Sequence, residues 1–143
     1  MLKTKLKNNA KKIDKFLINF LKKQKKSLLV TPMKYGVISG GKKIRSTIIF
    51  DTGRIFNIKK KTLLSICAAV ECIHSYSLIH DDLPCMDNDL IRRGKPSTHK
   101  KFGEATAVLA GNSLLTLAFE IISDKKNFKS NKKKNEIINL LSY

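Results

Sequence analysis

Thr62-Leu-Leu-Ser-Ile-Cys-Ala-Ala-Val-Glu-Cys-Ile-His-Ser-Tyr-Ser-Leu-Ile-His-Asp-Asp-Leu83 is the strongest helical stretch of this chain, with apolar side chains over most of the helix circumference. A helix apolar nearly all round belongs inside a core. One polar line interrupts it. Glu71, His74 and Asp81 share a face, because seven residues nearly complete two turns. Polar groups inside a buried helix must be satisfied by protein partners or by a ligand, so the stretch marks both a core element and a candidate site.

Immediately beyond it, Asp81, Asp82, Asp87 and Asp89 place four of the chain's eleven acidic residues in nine positions, although the formal net charge is +18. Such crowding repels unless a cation sits among the carboxylates. Mg2+ typically takes one or two carboxylates and leaves its other positions to water and phosphate oxygens. A continuous helix cannot gather them, since Asp81 and Asp87 lie about 240 degrees apart around the axis. Pro84 disfavours the helical conformation at Leu83. The turn it forces is expected to bring Asp87 back towards Asp81 and Asp82, at the negative end of the helix dipole. The plainer reading is a surface acidic loop paired with Arg92, Arg93 and Lys95.

Upstream, Gly40-Gly41-Lys42-Lys43-Ile44-Arg45 offers the complementary charge. A helix is expected from about Lys42 to Phe56. Free N–H groups at its start attract anions, and Lys42 and Arg45, three apart, would share a face as a diphosphate grip. Gly36 to Lys42 also fits the GxxxxGK phosphate loop, but Lys43 stands where a magnesium-binding Ser or Thr belongs and no strand precedes it. His80-Asp81 fits the HD-type phosphohydrolases, a reading that leaves Asp82, Asp87 and the double arginine idle.

Elsewhere, Ile13, Phe16, Leu17, Phe20 and Leu21 repeat as an amphipathic helix, and Thr31-Pro32 is expected to break helical structure. A further helix is expected over 103–123. Gly111 inside it costs about 1 kcal/mol against alanine, which points to close backbone packing. Residues 127–135 read as a solvated lysine and asparagine-rich linker. With no sustained period-two alternation, the class is all-α, about five helices in a single domain over 1–143.

Lysine supplies 25 of the 29 basic residues, and the chain has no tryptophan. Nucleic-acid readers lean on arginine forks and stacking aromatics, so nucleic acid is not an expected partner. Cys67, Cys72 and Cys85 are odd in number and lack CxxC spacing, reading as idle or buried thiols. No run approaches the roughly 18 to 20 apolar residues that span a bilayer, and the lysine-rich N-terminus leads into no apolar signal core, so a cytoplasmic protein is expected.

Ile73 to Asp89, followed by Arg92-Arg93-Gly94-Lys95-Pro96, closely resembles the first aspartate-rich region of the trans-isoprenyl diphosphate synthases, or polyprenyl synthetases. The form is the one with two extra residues, used by bacterial farnesyl and plant-type geranylgeranyl diphosphate synthases. Gly40 to Arg45 is similar to the family's GGKxxR, and Lys101-Phe102-Gly103-Glu104-Ala105 to its next block, so the likeness covers 35–123. It implies an isoprenoid-synthase helical bundle around an apolar pocket. It further implies a Mg2+-dependent, head-to-tail condensation of an allylic diphosphate (dimethylallyl or geranyl) with isopentenyl diphosphate. By the same resemblance, Asp81, Asp82 and Asp87 hold Mg2+, with Arg92 on the allylic diphosphate. Lys42, Arg45, His74 and Arg93 grip isopentenyl diphosphate, and Tyr76 forms a floor that limits product length.

Family members are about twice this long and carry a second aspartate-rich motif, which does not follow Asp89 here. The expectation is therefore a truncated farnesyl-type domain lacking the C-terminal half of the bundle. The alternative is a non-catalytic Mg2+ and diphosphate binder, or a subunit completed by another chain. Its uncovered apolar faces would invite a partner such as a second copy. Ser46 stands where the family usually has proline, and Asn112 where it often has aspartate.

Overall fold

The computed structural model describes residues 2–24, 27–128 and 130–142, and the chain is mostly helical there. Seven helices follow in order: α1 (Leu2–Leu21), α2 (Val30–Val37), α3 (Ile44–Ile55), α4 (Lys60–Asp81), α5 (Thr98–Phe102), α6 (Glu104–Ser123) and α7 (Asn131–Ser142). A two-residue ribbon, β1 (Ile91–Arg92) with β2 (Lys95–Pro96), pairs antiparallel between α4 and α5.

The expected central helix is α4, and it packs along α6 as the spine of the core. Small side chains let the two axes close. Ala68, Ala69 and Cys72 on α4 are fully buried, as are Ala107, Ala110 and Ala118 on α6. Gly111 is explained by the same approach, since a Cβ there would run into the His80 ring. The stripe expected in α1 is buried at Ile13, Leu17 and Leu21, which seal one side of the core. Each fully buried leucine or isoleucine contributes about 1.5 to 3 kcal/mol through its transfer from water.

By length and composition, α4 and α6 are apolar enough to cross a membrane. They pack against one another within the bundle, and the polar line of Glu71, His74 and Asp81 runs along α4.

Three local expectations are corrected. Thr31-Pro32 starts a helix rather than breaking one: Pro32 is buried in the first turn of α2, where a missing N–H removes no intrahelical bond. The presumed helix from Lys42 begins only at Ile44, because Gly40, Gly41 and Lys43 all take positive φ. The 127–135 linker is largely structured. Asn127 is buried and donates to the Ile121 carbonyl at 2.8 Å, Phe128 is buried, and α7 begins at Asn131.

The ribbon went unforeseen. Arg93 (φ 53) and Gly94 (φ 73) form a two-residue turn with both central residues left-handed, which is the type I′ hairpin geometry. Glycine suits that position and arginine does not, so the motif lacks its usual sequence signature.

Candidate functional site

Positive φ at Gly40, Gly41 and Lys43 shapes the segment between α2 and α3. Lys43 turns inward. Its ammonium lies 3.3 Å from Asp14 Oδ1 and 3.7 Å from Glu71 Oε2, and donates to the Val37 carbonyl at 3.3 Å. The Asp14 contact is charge against charge rather than an aligned hydrogen bond. Glu71 is itself buried and accepts a 2.6 Å hydrogen bond from the Ser46 hydroxyl on its other oxygen.

With Lys43 drawn in, its neighbours face outward. Lys42, Arg45, His74 and Arg93 line one cavity of about 250 Å³ together with Gly41, Lys43, Ile44 and Glu71. Three elements meet there: the Gly40–Lys43 turn with the start of α3, one face of α4, and the hairpin turn. Arg45 Nη1 lies 3.5 Å from His74 Nε2. Arg93 donates to the Gly40 carbonyl at 2.6 Å and to Ser39 Oγ at 3.3 Å. An added Cβ at Gly41 would sit 2.8 Å from Arg93 Cζ, and the φ of 96° there already favours glycine. The His74 pKa is lowered, first by burial and then by Arg45, so the imidazole is neutral at pH 7 in a cavity dominated by positive charge.

At the C-terminal end of α4 the chain turns as Pro84 requires. The Asp87 N–H donates to the Asp81 carbonyl at 2.8 Å, and the Asn88 N–H donates to the Leu83 carbonyl at 3.0 Å. Asp87 is exposed and Asp81 half-buried. Asp82 departs from its expected place among the metal carboxylates: it is buried and accepts from Arg92 Nε on both oxygens, at 2.7 and 2.8 Å, as well as from Nη2. Arg92 also reaches Asp89 at 3.2 Å, and its pKa is raised, chiefly by the Asp82 hydrogen bonds. The hairpin separates the two arginines: Arg92 reaches Asp82, while Arg93 leans over the glycine turn.

Among the described residues no group of three or more His, Cys, Asp and Glu side chains is gathered closely enough to hold a metal ion. The donor chemistry of Asp81 and Asp87 suits Mg2+, which asks for one or two carboxylates. Asp81 and Asp87 are linked through the backbone, and a hard cation that keeps several waters and phosphate oxygens asks for no more. Both Asp82 oxygens accept from Arg92 in this arrangement.

His80 packs against α6. Its Nε2 lies 3.1 Å from the Val108 carbonyl, which makes that nitrogen the protonated one. Tyr76, half-buried, sits edge-on to the same ring with 4.6 Å between centroids. This engagement gives His80 a packing role against α6. Cys67 and Cys72 are buried, and burial pushes both thiols up to about 12. Cys85 is exposed.

Sequence reasoning missed the inner members of this site, Lys43 and Ser46. Lys43 looks identical to Lys42 in the sequence. Only the left-handed backbone separates a buried strut from an exposed cation.

A family model described as polyprenyl synthetase matches residues 26–142. The farnesyl diphosphate synthase of Buchnera aphidicola subsp. Acyrthosiphon pisum (strain APS) is 53% identical over 129 residues, 90% of this chain and 45% of that protein. The Escherichia coli (strain K12) farnesyl diphosphate synthase is 56% identical over 96 residues, 67% of this chain and 32% of that protein. Among solved structures, an FPP/GFPP synthase from Zymomonas mobilis superposes with a TM-score of 0.93 at 43% identity, over 99% of this chain and 51% of that one. A geranyltranstransferase from Thermotoga maritima gives 0.83 at 36% identity, over 96% and 51%. The chain thus spans about half the length or less of these relatives.

Proposed function

This chain belongs to the polyprenyl synthetase family, and on that premise we propose that it carries the isopentenyl diphosphate grip and the first metal-binding carboxylates of a farnesyl-type prenyltransferase site. The observation that supports this most directly is the shared cavity of Lys42, Arg45, His74 and Arg93, of which His74 lies on the helix that ends in Asp81. Four groups from three elements converge on a space of about 250 Å³, and three of them are permanent cations. A diphosphate is the small ligand whose charge matches that lining. Arg45 and Arg93 suit its oxygens with planar forks and Lys42 with a mobile ammonium. His74 supplies a neutral N–H at pH 7.

In this reading Asp81 and Asp87 would hold the Mg2+ that serves an allylic diphosphate, dimethylallyl or geranyl. Asp82 anchors Arg92, the residue assigned to that allylic diphosphate. The chemistry magnesium supplies when bound is neutralisation of charge on the departing diphosphate. The reaction breaks the allylic C–O bond and forms a C–C bond from the double bond of isopentenyl diphosphate, after which a proton is lost. This chain's own residues hold the second substrate still by its diphosphate and so position its double bond for attack. Tyr76 lies about 7.5 Å along the helix from Asp81 and bounds how far a growing chain can reach.

The test has two arms. Calorimetry with isopentenyl diphosphate is expected to show binding that weakens at least tenfold in Arg45→Ala, the loss of about one charged hydrogen-bond pair. Incubation with Mg2+, isopentenyl diphosphate and geranyl diphosphate reads product formation. Binding with no prenyl product assigns the chain the binding part of the reaction alone. No binding by well-folded protein sinks the proposal.

A further inference from the structure

Glu71 and Ser46 are buried, chemically capable groups to which the diphosphate reading assigns no role, although Glu71 forms part of the cavity wall. Ser46 has no exposed surface and Glu71 only 4%. The carboxylate bridges the turn from both sides. One oxygen takes the Ser46 hydroxyl at 2.6 Å and the other faces the Lys43 ammonium at 3.7 Å, so residues before and after Ile44-Arg45 are tied to one point on α4. Lys43 occupies the left-handed region (φ 46), where a residue with a side chain stays only if its surroundings hold it. His74 lies one turn further along α4. The same helix face therefore carries one cavity residue and the anchor of two others.

We infer that Glu71 is a positioning residue of the diphosphate grip. By holding Lys43 inward and Ser46 down, it presents Lys42 and Arg45 to the cavity, and the Ser46 hydroxyl is the feature by which this chain secures its end of α3. The inference rests on the diphosphate reading above for its ligand, and on the structure alone for its effect on the turn. It also predicts an effect opposite in sign to simple electrostatics. Glu71 is an anionic wall of an anion cavity, so neutralising it should tighten diphosphate binding if charge alone mattered. If Glu71 acts by position, neutralising it leaves Lys43 with Asp14 and the Val37 carbonyl alone, frees the tie to Ser46 and loosens the grip.

The probes are isopentenyl diphosphate and inorganic pyrophosphate, titrated into the full chain and into Glu71→Gln and Ser46→Ala. Backbone amide resonances of Gly40 and Gly41 are recorded without ligand. Glu71→Gln is expected to weaken both ligands about tenfold and Ser46→Ala about threefold, in line with losing a charge-assisted contact and a single hydrogen bond. Both glycine resonances are expected to shift in both variants, and Ser46→Thr, which restores the hydroxyl, is expected to return affinity and resonances towards those of the parent. Unchanged or tighter binding by Glu71→Gln overturns the positioning role while leaving the diphosphate site standing. If the parent binds neither probe, the diphosphate reading fails. The glycine resonances still decide the rest, because unmoved resonances in Glu71→Gln overturn the claim that this carboxylate shapes the turn.

Discussion

Arg92→Met probes the step from fold to site most directly, because it separates an anchor from a metal ligand at Asp82. The Asp82 side chain is 3% exposed and that of Arg92 29%. Removing the guanidinium leaves a carboxylate inside the protein with its charge unmatched, which costs about 3 kcal/mol, the low end for orphaned buried charges because Arg92 itself is partly wet. The reverse change, Asp82→Asn, costs only about 1.5 kcal/mol, since the guanidinium can turn to water and to Asp89, 3.2 Å away. The double variant is expected to be more stable than the sum of the two losses by about 1 to 2 kcal/mol, as for any pair in direct contact. The assay is urea unfolding followed by circular dichroism. With a slope near 1.5 kcal/mol per molar, Arg92→Met moves the midpoint down by about 2 M. Two equal losses, each under about 0.5 kcal/mol, would refute the reasoning, because exposed pairs behave that way. Folded Asp82→Asn that has lost Mg2+-dependent pyrophosphate binding, while Asp81→Asn keeps it, would return Asp82 to the ligand set.

Gly111→Ala is expected to destabilise by about 1 to 2 kcal/mol despite the better helix propensity of alanine, because the new Cβ displaces the His80 ring from the Val108 carbonyl. In a His80→Ala background the same change should become stabilising by about 1 kcal/mol; failure of that sign reversal in urea unfolding refutes the packing argument. His74 has a folded pKa lowered from 6.5 by burial and then by Arg45, so its contribution to stability is complete above 6.5 and is lost as pH falls through the folded value. A bound diphosphate offsets the neighbouring cations, so isopentenyl diphosphate binding near pH 6 should take up protons, read by calorimetry in buffers of different ionisation enthalpy, and His74→Gln should abolish the uptake. Iodoacetamide at pH 8 should label Cys85 alone in the native protein. Cys67 and Cys72, pushed to about 12 by burial, should react only once urea unfolds the chain.

Much of the fold was readable one helix at a time. Apolar spacing in α1, α4 and α6 reflects which side chains must leave water, a demand written residue by residue along a regular helix. The bend after Asp82 was readable for the same local reason: a proline constrains the residue before it whatever lies elsewhere in the chain. The Asp87 to Asp81 backbone bond follows from that constraint. Short elements were not readable. The eight residues of α2 around Pro32, the five of α5 and the Arg93-Gly94 hairpin are too brief for periodicity to register.

The sequence by itself determined the element types and the inventory of charges: a core helix ending in carboxylates, and a glycine turn followed by cations. Tertiary structure alone decided which charge faces the cavity and which is consumed inside. Lys42 and Lys43 differ by an inward turn that brings Lys43 to Glu71 and Asp14. Asp81 and Asp82 differ because only the second lies under the hairpin that delivers Arg92. Ion pairs between residues distant in sequence depend on how separate elements dock, and in a low-dielectric interior a partner a few ångströms away decides whether a charge is a strut or a ligand.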